Sequence, residues 1–206
     1  ADAPQPRLQH RTAVAFVAFA SVVAAAFAVL AVPARLADRE SPDGLSLDGL
    51  GFFDAGLREG DSERLLADDL PLLRWLQGNV HGIVPIAEAP GEDYRWTGRF
   101  ATYTGLPTPI GWPYHERQQK RDYGYIVDQR HADMTELYTT TDPDRVAELL
   151  ARYRIRYLTF GTVEQRLNPT GAVLLAAPCV AEVFRSGVSF VAEVDHECLR
   201  ALPPRG

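Results

Sequence analysis

Cysteine is scarce in this 206-residue chain: Cys179 and Cys198 are all there is. Two residues without a CxxC spacing exclude a zinc ribbon and a disulfide-built scaffold. The reading that follows is two free, partly buried thiols, with a single bridge as the alternative on an oxidising side of a membrane. A basic tract is also missing. At a net charge of −6, with no interleaved Arg and aromatic residues, nucleic acid is excluded as a partner. No GxSxG elbow occurs, and His196 beside Cys198 is a weak substitute for a nucleophile–base pair. Neither GxxxxGK[ST] nor GxGxxG occurs, so no nucleotide or other cofactor is expected. The run His115-Glu116-Arg117-Gln118-Gln119 lacks the second histidine that a zinc protease needs one turn later. The spacing of His81 and His131 does not supply it, so no metal is expected. Internal repeats are absent as well.

One absence is local. From Thr12 to Ala34 there is no charged residue, and Arg11 and Arg35 bound the run. As a helix these residues extend roughly 35 Å at about 1.5 Å per residue, enough for a hydrocarbon core of about 30 Å. An amphipathic helix of a soluble protein would carry a polar stripe, and this run has none. A secretory signal is the rival, with Arg7, His10 and Arg11 as its basic start and Val32-Pro33-Ala34 as a poor cleavage site. Its apolar core would be shorter, about 7–15 residues. A retained transmembrane helix at residues 12–34 is therefore expected, after a short flank at 1–11, with the lipid bilayer as partner. The many Ala and Ser side chains suit close packing against further spans, as in the last helix of a larger polytopic protein. Orientation is undecided by charge: Arg7 and Arg11 before the run equal Arg35 and Arg39 after it.

The remainder reads as a Gly-rich connector at 35–61, which docks, and an α/β domain at 62–206. Ser62 is placed to cap a short helix carrying Leu65 and Leu66 inward. Asp68 or Asp69 starts the next helix, Pro71 lies in its first turn, Leu72, Leu73 and Leu76 form its apolar side, and Gly78 ends it. Gly82 to Ala89 reads as the first strand, with Pro85 marking an edge or bulge. His115 to Tyr138 is expected to be helical in its second half, with Ile126, Val127, Met134 and Leu137 inward. Thr141 caps a helix with Pro143 in its first turn, Asp144 completing a capping box, and Val146, Leu149, Leu150 and Tyr153 as the buried stripe. Ile155 to Phe160 alternates as a strand. Val180 to Phe184 and Val188 to Val194 flank Arg185-Ser186-Gly187 as a β-hairpin. The fold class is thus α/β: one N-terminal transmembrane helix, then a Rossmann-like mixed α/β soluble domain ending in a β-hairpin.

Between Ile86 and Arg121 the chain concentrates its unusual residues, with enough Gly and Pro to prevent one long helix or strand. A structured loop over the core is expected there, where binding groups are usually found. Glu88, at a strand's C-terminal end, faces the crevice where α/β proteins hold ligands. Arg99 can hold a phosphate or carboxylate in bidentate fashion. Trp96 and Trp112 can stack on a sugar, and His115 and Glu116 complete the candidate substrate-binding set. The competing reading pairs Glu88 with Arg99 to pin the loop, the tryptophans merely packing it. Glu164-Gln165-Arg166 is a further candidate for the crevice lining. Glu92, Asp93 and Asp122 are expected to be solvated. No catalytic residue is identified.

The order of parts carries a resemblance. An apolar span leads to LRWLQGNVHG, then IAEA, GRFATYTGLPTPIGWPYHERQQKR, LYTTTDPDRVAELLARYRIRYLTFG, the pair VEQR, and VFRSGVSFVAEV. From about Leu45 to Val194 this closely resembles the C-terminal extracytoplasmic part of the Chlor_Arch_YYY (YYY domain) polytopic membrane proteins, TGLPTPIGWPYHE being the most specific motif. The tyrosine triplet itself is not in this chain. More distantly the layout is similar to the soluble C-terminal domains of GT-C glycosyltransferases. The resemblance implies a plasma-membrane location with the C-terminal domain outside the cytoplasm. It implies a partner in the remaining membrane spans, where GT-C enzymes hold a polyprenyl-phosphate sugar and carry the catalytic carboxylate. Here this piece would bind or position a lipid-linked sugar or an acceptor rather than catalyse alone. The alternatives are a membrane-anchored binding or scaffold module without enzymatic activity, and a secreted hydrolase pairing Glu88 with Glu116.

Overall fold

The computed structural model describes residues 6–37, 47, 49, 50, 53 and 66–203. The chain divides into two compact units, Ala1–Ala55 and Gly56–Gly206, the boundary falling within the expected connector. The expectations that the connector docks and that Ser62 caps a helix carrying Leu65 lie outside the described residues.

In the first unit helix α1 runs from Pro6 to Ala37. Its stretch His10–Arg35 has a mean hydropathy of 2.6 and is long and apolar enough to cross a membrane. The Ser21 hydroxyl donates to the Val17 carbonyl one turn back. That bond satisfies it within the helix itself, as an apolar surrounding would demand.

The second unit is mixed α/β, with a four-stranded sheet in the order β1-β2-β4-β3. A 3-10 turn, Leu66–Asp69, leads into α2 (Leu70–Asn79). Pro71 lies in its first turn and Leu72, Leu73 and Leu76 are buried, as the sequence predicts. Gly78 does not end it: the helix continues to Asn79, and the Val80 N–H closes on the Leu76 carbonyl. Strand β1 is only Ile86–Ala87, shorter than the expected Gly82–Ala89. It is an edge strand, parallel to β2 (Tyr157–Phe160) with Ile86 opposite Tyr157. The Ile86 N–H, on the open side, donates to the Pro107 carbonyl at 2.9 Å, so the loop covers what would be a bare edge.

Between the parallel strands come α3 (Arg99–Thr104), α4 (Pro113–Lys120), a 3-10 turn at Arg121–Tyr123, α5 (Gly124–Thr139) and α6 (Pro143–Arg152). The His115–Tyr138 region is therefore helical in both halves, interrupted once. Val127, Met134 and Leu137 are buried while Ile126 is half-buried. The cap of α6 is Asp142, one residue later than expected, and its carboxylate accepts from the Asp144 N–H. The Thr140 hydroxyl accepts from Asp142 N–H in turn. Val146, Leu149 and Leu150, spaced three and four apart on one face, are fully buried. Each contributes roughly 1.5–3 kcal/mol by leaving water. Tyr153 lies just past the helix, half-buried, its hydroxyl donating to Asp133.

After β2 come two single-turn helices, α7 (Glu164–Leu167) and α8 (Ala172–Leu175), and then the hairpin of β3 (Val180–Ser186) and β4 (Ser189–Val194). Ser186 pairs with Ser189, so the turn is Gly187-Val188, and Gly187 has the positive φ (61°) that the turn needs. Strand β4, central in the sheet, antiparallel to β2 and β3, sets Phe190 opposite Phe160 with the rings stacked at 4.7 Å.

The hairpin is not the end of the fold. Helix α9 (His196–Ala201) follows, its first N–H groups received by the Asp195 carboxylate. Cys198 on α9 forms a disulfide with Cys179, just ahead of β3. The expectation of free thiols is corrected here: the hairpin folds back so that residues 19 apart in sequence stand 5.7 Å apart at Cα. A bridge closing such a loop is worth about 2–3 kcal/mol by chain entropy. Reductant should lower the Tm of the α/β unit accordingly, and alkylation should label neither thiol without it. An unchanged Tm with two labelled thiols would show that the bridge does not form.

Candidate functional site

Gly98 precedes helix α3; its φ of 79° turns the chain, but its missing side chain leaves the first N–H groups uncapped. Glu88 fills that role from the end of β1. Its two carboxylate oxygens accept from Phe100 N–H and Ala101 N–H, both at 2.9 Å, with the helix dipole favouring the negative charge. Arg99, the first residue of α3, turns inward. Its Nε donates to Asp69 Oδ2 at 2.5 Å, and its Nη2 donates to Glu164 Oε2 at 2.7 Å.

Both carboxylates are saturated from other directions. Asp69 accepts from Thr162 N–H (2.8 Å) and the Thr162 hydroxyl (2.7 Å). Glu164 accepts from Ala89 N–H and Gly161 N–H, each at 2.8 Å. Asp69, Arg99 and Glu164 thus join the start of α2, the start of α3, the end of β1 and the β2–α7 turn. Glu88, Arg99, Asp69 and Glu164 are each at most 1% exposed.

One guanidinium faces three acids here, and burial decides which acid gives way. It pushes the Glu88 carboxyl up to about 7, against the lowering influence of Arg99 and of the Ala101 N–H. Burial alone would lower Arg99, but Asp69 and Glu164 outweigh it and hold the guanidinium protonated. Tyr138, whose hydroxyl donates to the Thr159 carbonyl, is raised by burial and then by the charges on Glu164 and Glu88.

A pH dependence follows. Glu88 titrates at about 7 in the fold against an ordinary 4.5, so between those values the folded chain holds the extra proton. Its contribution to stability is complete below pH 4.5 and is lost as pH rises through about 7, amounting to roughly 3 kcal/mol. Thermal unfolding at pH 5 and pH 8 should show this slope in the wild type and a flatter one in Glu88→Gln. Equal slopes would mean that Glu88 ionises normally.

The predicted set is only partly brought together. Glu88 and Arg99 share a helix start but do not bond to each other; the partners of Arg99 are Asp69 and Glu164. Among the described residues, surface clefts of about 620, 660 and 290 Å³ are lined by residues other than these. Glu88 and Arg99 are enclosed on every side. Glu116 is occupied too, accepting from Gly111 N–H at 2.7 Å and pairing with Lys120 at 2.8 Å.

The aromatic members lie outside that core. Trp96 is half-buried and stacks on Tyr103. Trp112 is held by its indole N–H, which donates to the Thr97 carbonyl at 3.1 Å. Thr97 packs so closely on Gly91 that a Cβ there would fall 2.4 Å from its methyl carbon, which closes the 91–97 loop. Asp93, expected to be solvated, instead accepts from Tyr114 N–H and His115 N–H at the start of α4. Tyr94 carries a positive φ of 61° and is 71% exposed. Its ring lies 5.0 Å from that of Trp112, and His115 stands edge-on to both.

Sequence reasoning singled out Glu88, Arg99 and Glu164 by type. It missed the roles of Asp69, read only as a helix start, and of Thr162 and Tyr94, which carry no local signal. Among the described residues no group of three His, Cys, Asp or Glu is placed to hold a metal ion. Compared with protein-family models, with curated proteins and with solved structures, the chain matches none.

Proposed function

We propose that this chain is the membrane-anchored, extracytoplasmic domain of a GT-C-like membrane glycosyltransferase that uses a polyprenyl-phosphate sugar. In this reading it binds or positions substrate, and the remaining spans of a larger polytopic protein carry the chemistry. The observation that carries its binding or positioning part is the internal closure of Glu88, Arg99, Asp69 and Glu164, while the Tyr94 and Tyr114 rings of the 91–119 rim face solvent. A catalytic acid or base must reach its substrate, and these do not. Helix α1 supplies an apolar length suited to the bilayer. The Cys179–Cys198 bridge suits the oxidising face of the plasma membrane, outside the cytoplasm. The transferase half of the reading rests on the more distant likeness in layout to the soluble domains of GT-C glycosyltransferases; TGLPTPIGWPYHE carries the resemblance to the YYY proteins.

The internal closure equally favours a second reading, a membrane-anchored binding or scaffold module with no transferase behind it. Mass spectrometry of membrane lipids separates the two. Cells whose copy lacks residues 62–206 should accumulate polyprenyl-phosphate sugar, and the intact chain should restore the normal level. Unchanged lipid-linked sugar pools would remove the transferase and leave the anchored module.

A further inference from the structure

The geometry points to a pyranose-binding platform built from Tyr94, Trp112 and His115 on the rim of the α/β unit. Four observations converge on these residues. Tyr94 holds a left-handed backbone, φ 61°, which a bulky residue adopts only where its surroundings impose it. The result is that its ring stands out, 71% exposed, instead of folding under with Trp112. Trp112 beneath is fixed by its indole bond to Thr97, so the surface does not need to be ordered on binding. His115 is fixed three ways. Its N–H is received by Asp93, its ring Nδ1 meets the Tyr94 hydroxyl at 3.5 Å, and its Nε2 meets Gln119 at 3.1 Å.

The ligand class follows from shape and polarity. Tyr94 and Trp112 are tilted 52° to one another, and His115 stands at 75° and 87° to them, edge toward face. The exposed ring is that of Tyr94, with the half-buried Trp112 and His115 rings against it and Gln119 bonded to the imidazole. A quaternary ammonium wants several ring faces around it, and this is no cage. A nucleic-acid base would want a basic groove beside the stack, whereas Glu92 and Asp93 flank this one. A pyranose has the complementary form: a patch of C–H groups on one face, and hydroxyls around its edge for the carbonyl oxygen of the Gln119 amide, whose nitrogen holds the imidazole.

This inference rests on the reading above for the side of the membrane that the platform faces, and on the geometry for its ligand. The test uses the full chain in lipid nanodiscs free of glycoside detergents. Methyl pyranosides of glucose, galactose, mannose and N-acetylglucosamine are titrated, with tryptophan fluorescence and saturation-transfer NMR as readouts. At least one should bind saturably. Tyr94→Ala should weaken it roughly tenfold, the scale of one aromatic stacking contact. Tyr94→Phe, which keeps the ring, should stay within about threefold, and both should keep the wild-type Tm because Tyr94 is exposed.

Three results would overturn the platform: no saturable binding by any pyranoside, wild-type binding by Tyr94→Ala, or quenching of Trp112 by brominated lipids, identified by its loss in Trp112→Phe. The last would assign these rings to the membrane surface. If lipid-linked sugar pools respond to residues 62–206 but no pyranoside binds, the platform alone falls. If pyranosides bind and the pools do not respond, the transferase reading falls and the platform stands.

Discussion

Arg99→Ala is expected to unfold the α/β unit near physiological temperature. The substitution removes the one cation between Asp69 and Glu164, whose side chains are wholly buried with it. Each acid keeps its N–H donors, but two carboxylates then face each other's field in a medium that screens poorly. Removing one partner of a buried pair costs about 3–5 kcal/mol, against a total domain stability of about 5–15 kcal/mol. Lysine should rescue little. A single ammonium does not reproduce a fork whose Nε reaches Asp69 while its Nη2 reaches Glu164. Circular dichroism and limited proteolysis of the purified chain would measure the effect. A folded Arg99→Ala variant with the wild-type Tm would return Arg99 to the list of ligand-binding candidates. Asp69 and Glu164 would then have to be held by their hydrogen bonds alone.

Gly161→Ala should cost on the order of 4 kcal/mol, combining overpacking with disruption of the buried ion pair. A Cβ at this position would lie 2.2 Å from Asp69 Oδ1 and 2.7 Å from Arg99 Nη2, well inside contact distance. The obstacle is space, not backbone conformation, and neither neighbour is the loose end of a surface chain. Asp69 would have to leave Thr162 or Arg99 to make room, and either move exposes a buried charge without a partner. Gly78 is the control. It lies within α2 with open space around the site of a Cβ, so Gly78→Ala should stabilise by about 0.5–1 kcal/mol through helix propensity. Paired thermal melts of the two variants would decide the matter. Similar Tm values for both would mean that the ion cluster is more pliable than its geometry implies.

Arg99→Ala and Gly161→Ala act at a place that was half legible in the residues. Glu88 stood out as a carboxylate closing a strand, and Arg99 as a guanidinium on the loop beyond it. Which charges they meet was not legible, because the partners of Arg99 are 30 and 65 residues away in sequence. The α6 cap shows the same limit at short range. Thr141 and Asp142 are both good capping residues, and the choice between them rests on a hydrogen bond from Asp142 N–H to Thr140, which backbone geometry settles. Gly78 looked like a helix stop, yet the helix runs one residue past it.

What the sequence by itself determined is what local energetics dictate. An uncharged run makes a helix suited to a bilayer, alternating β-rich segments around a glycine make a hairpin, and a three–four spacing of Val146, Leu149 and Leu150 makes a buried helix face. Tertiary structure alone decided the rest: the pairing of Cys179 with Cys198, the enclosure of Glu88 and Arg99, and the exposure of Tyr94. The physical reason is that a charge, a thiol or a ring takes its role from its surroundings. Those exist only after distant segments have met and excluded water between them.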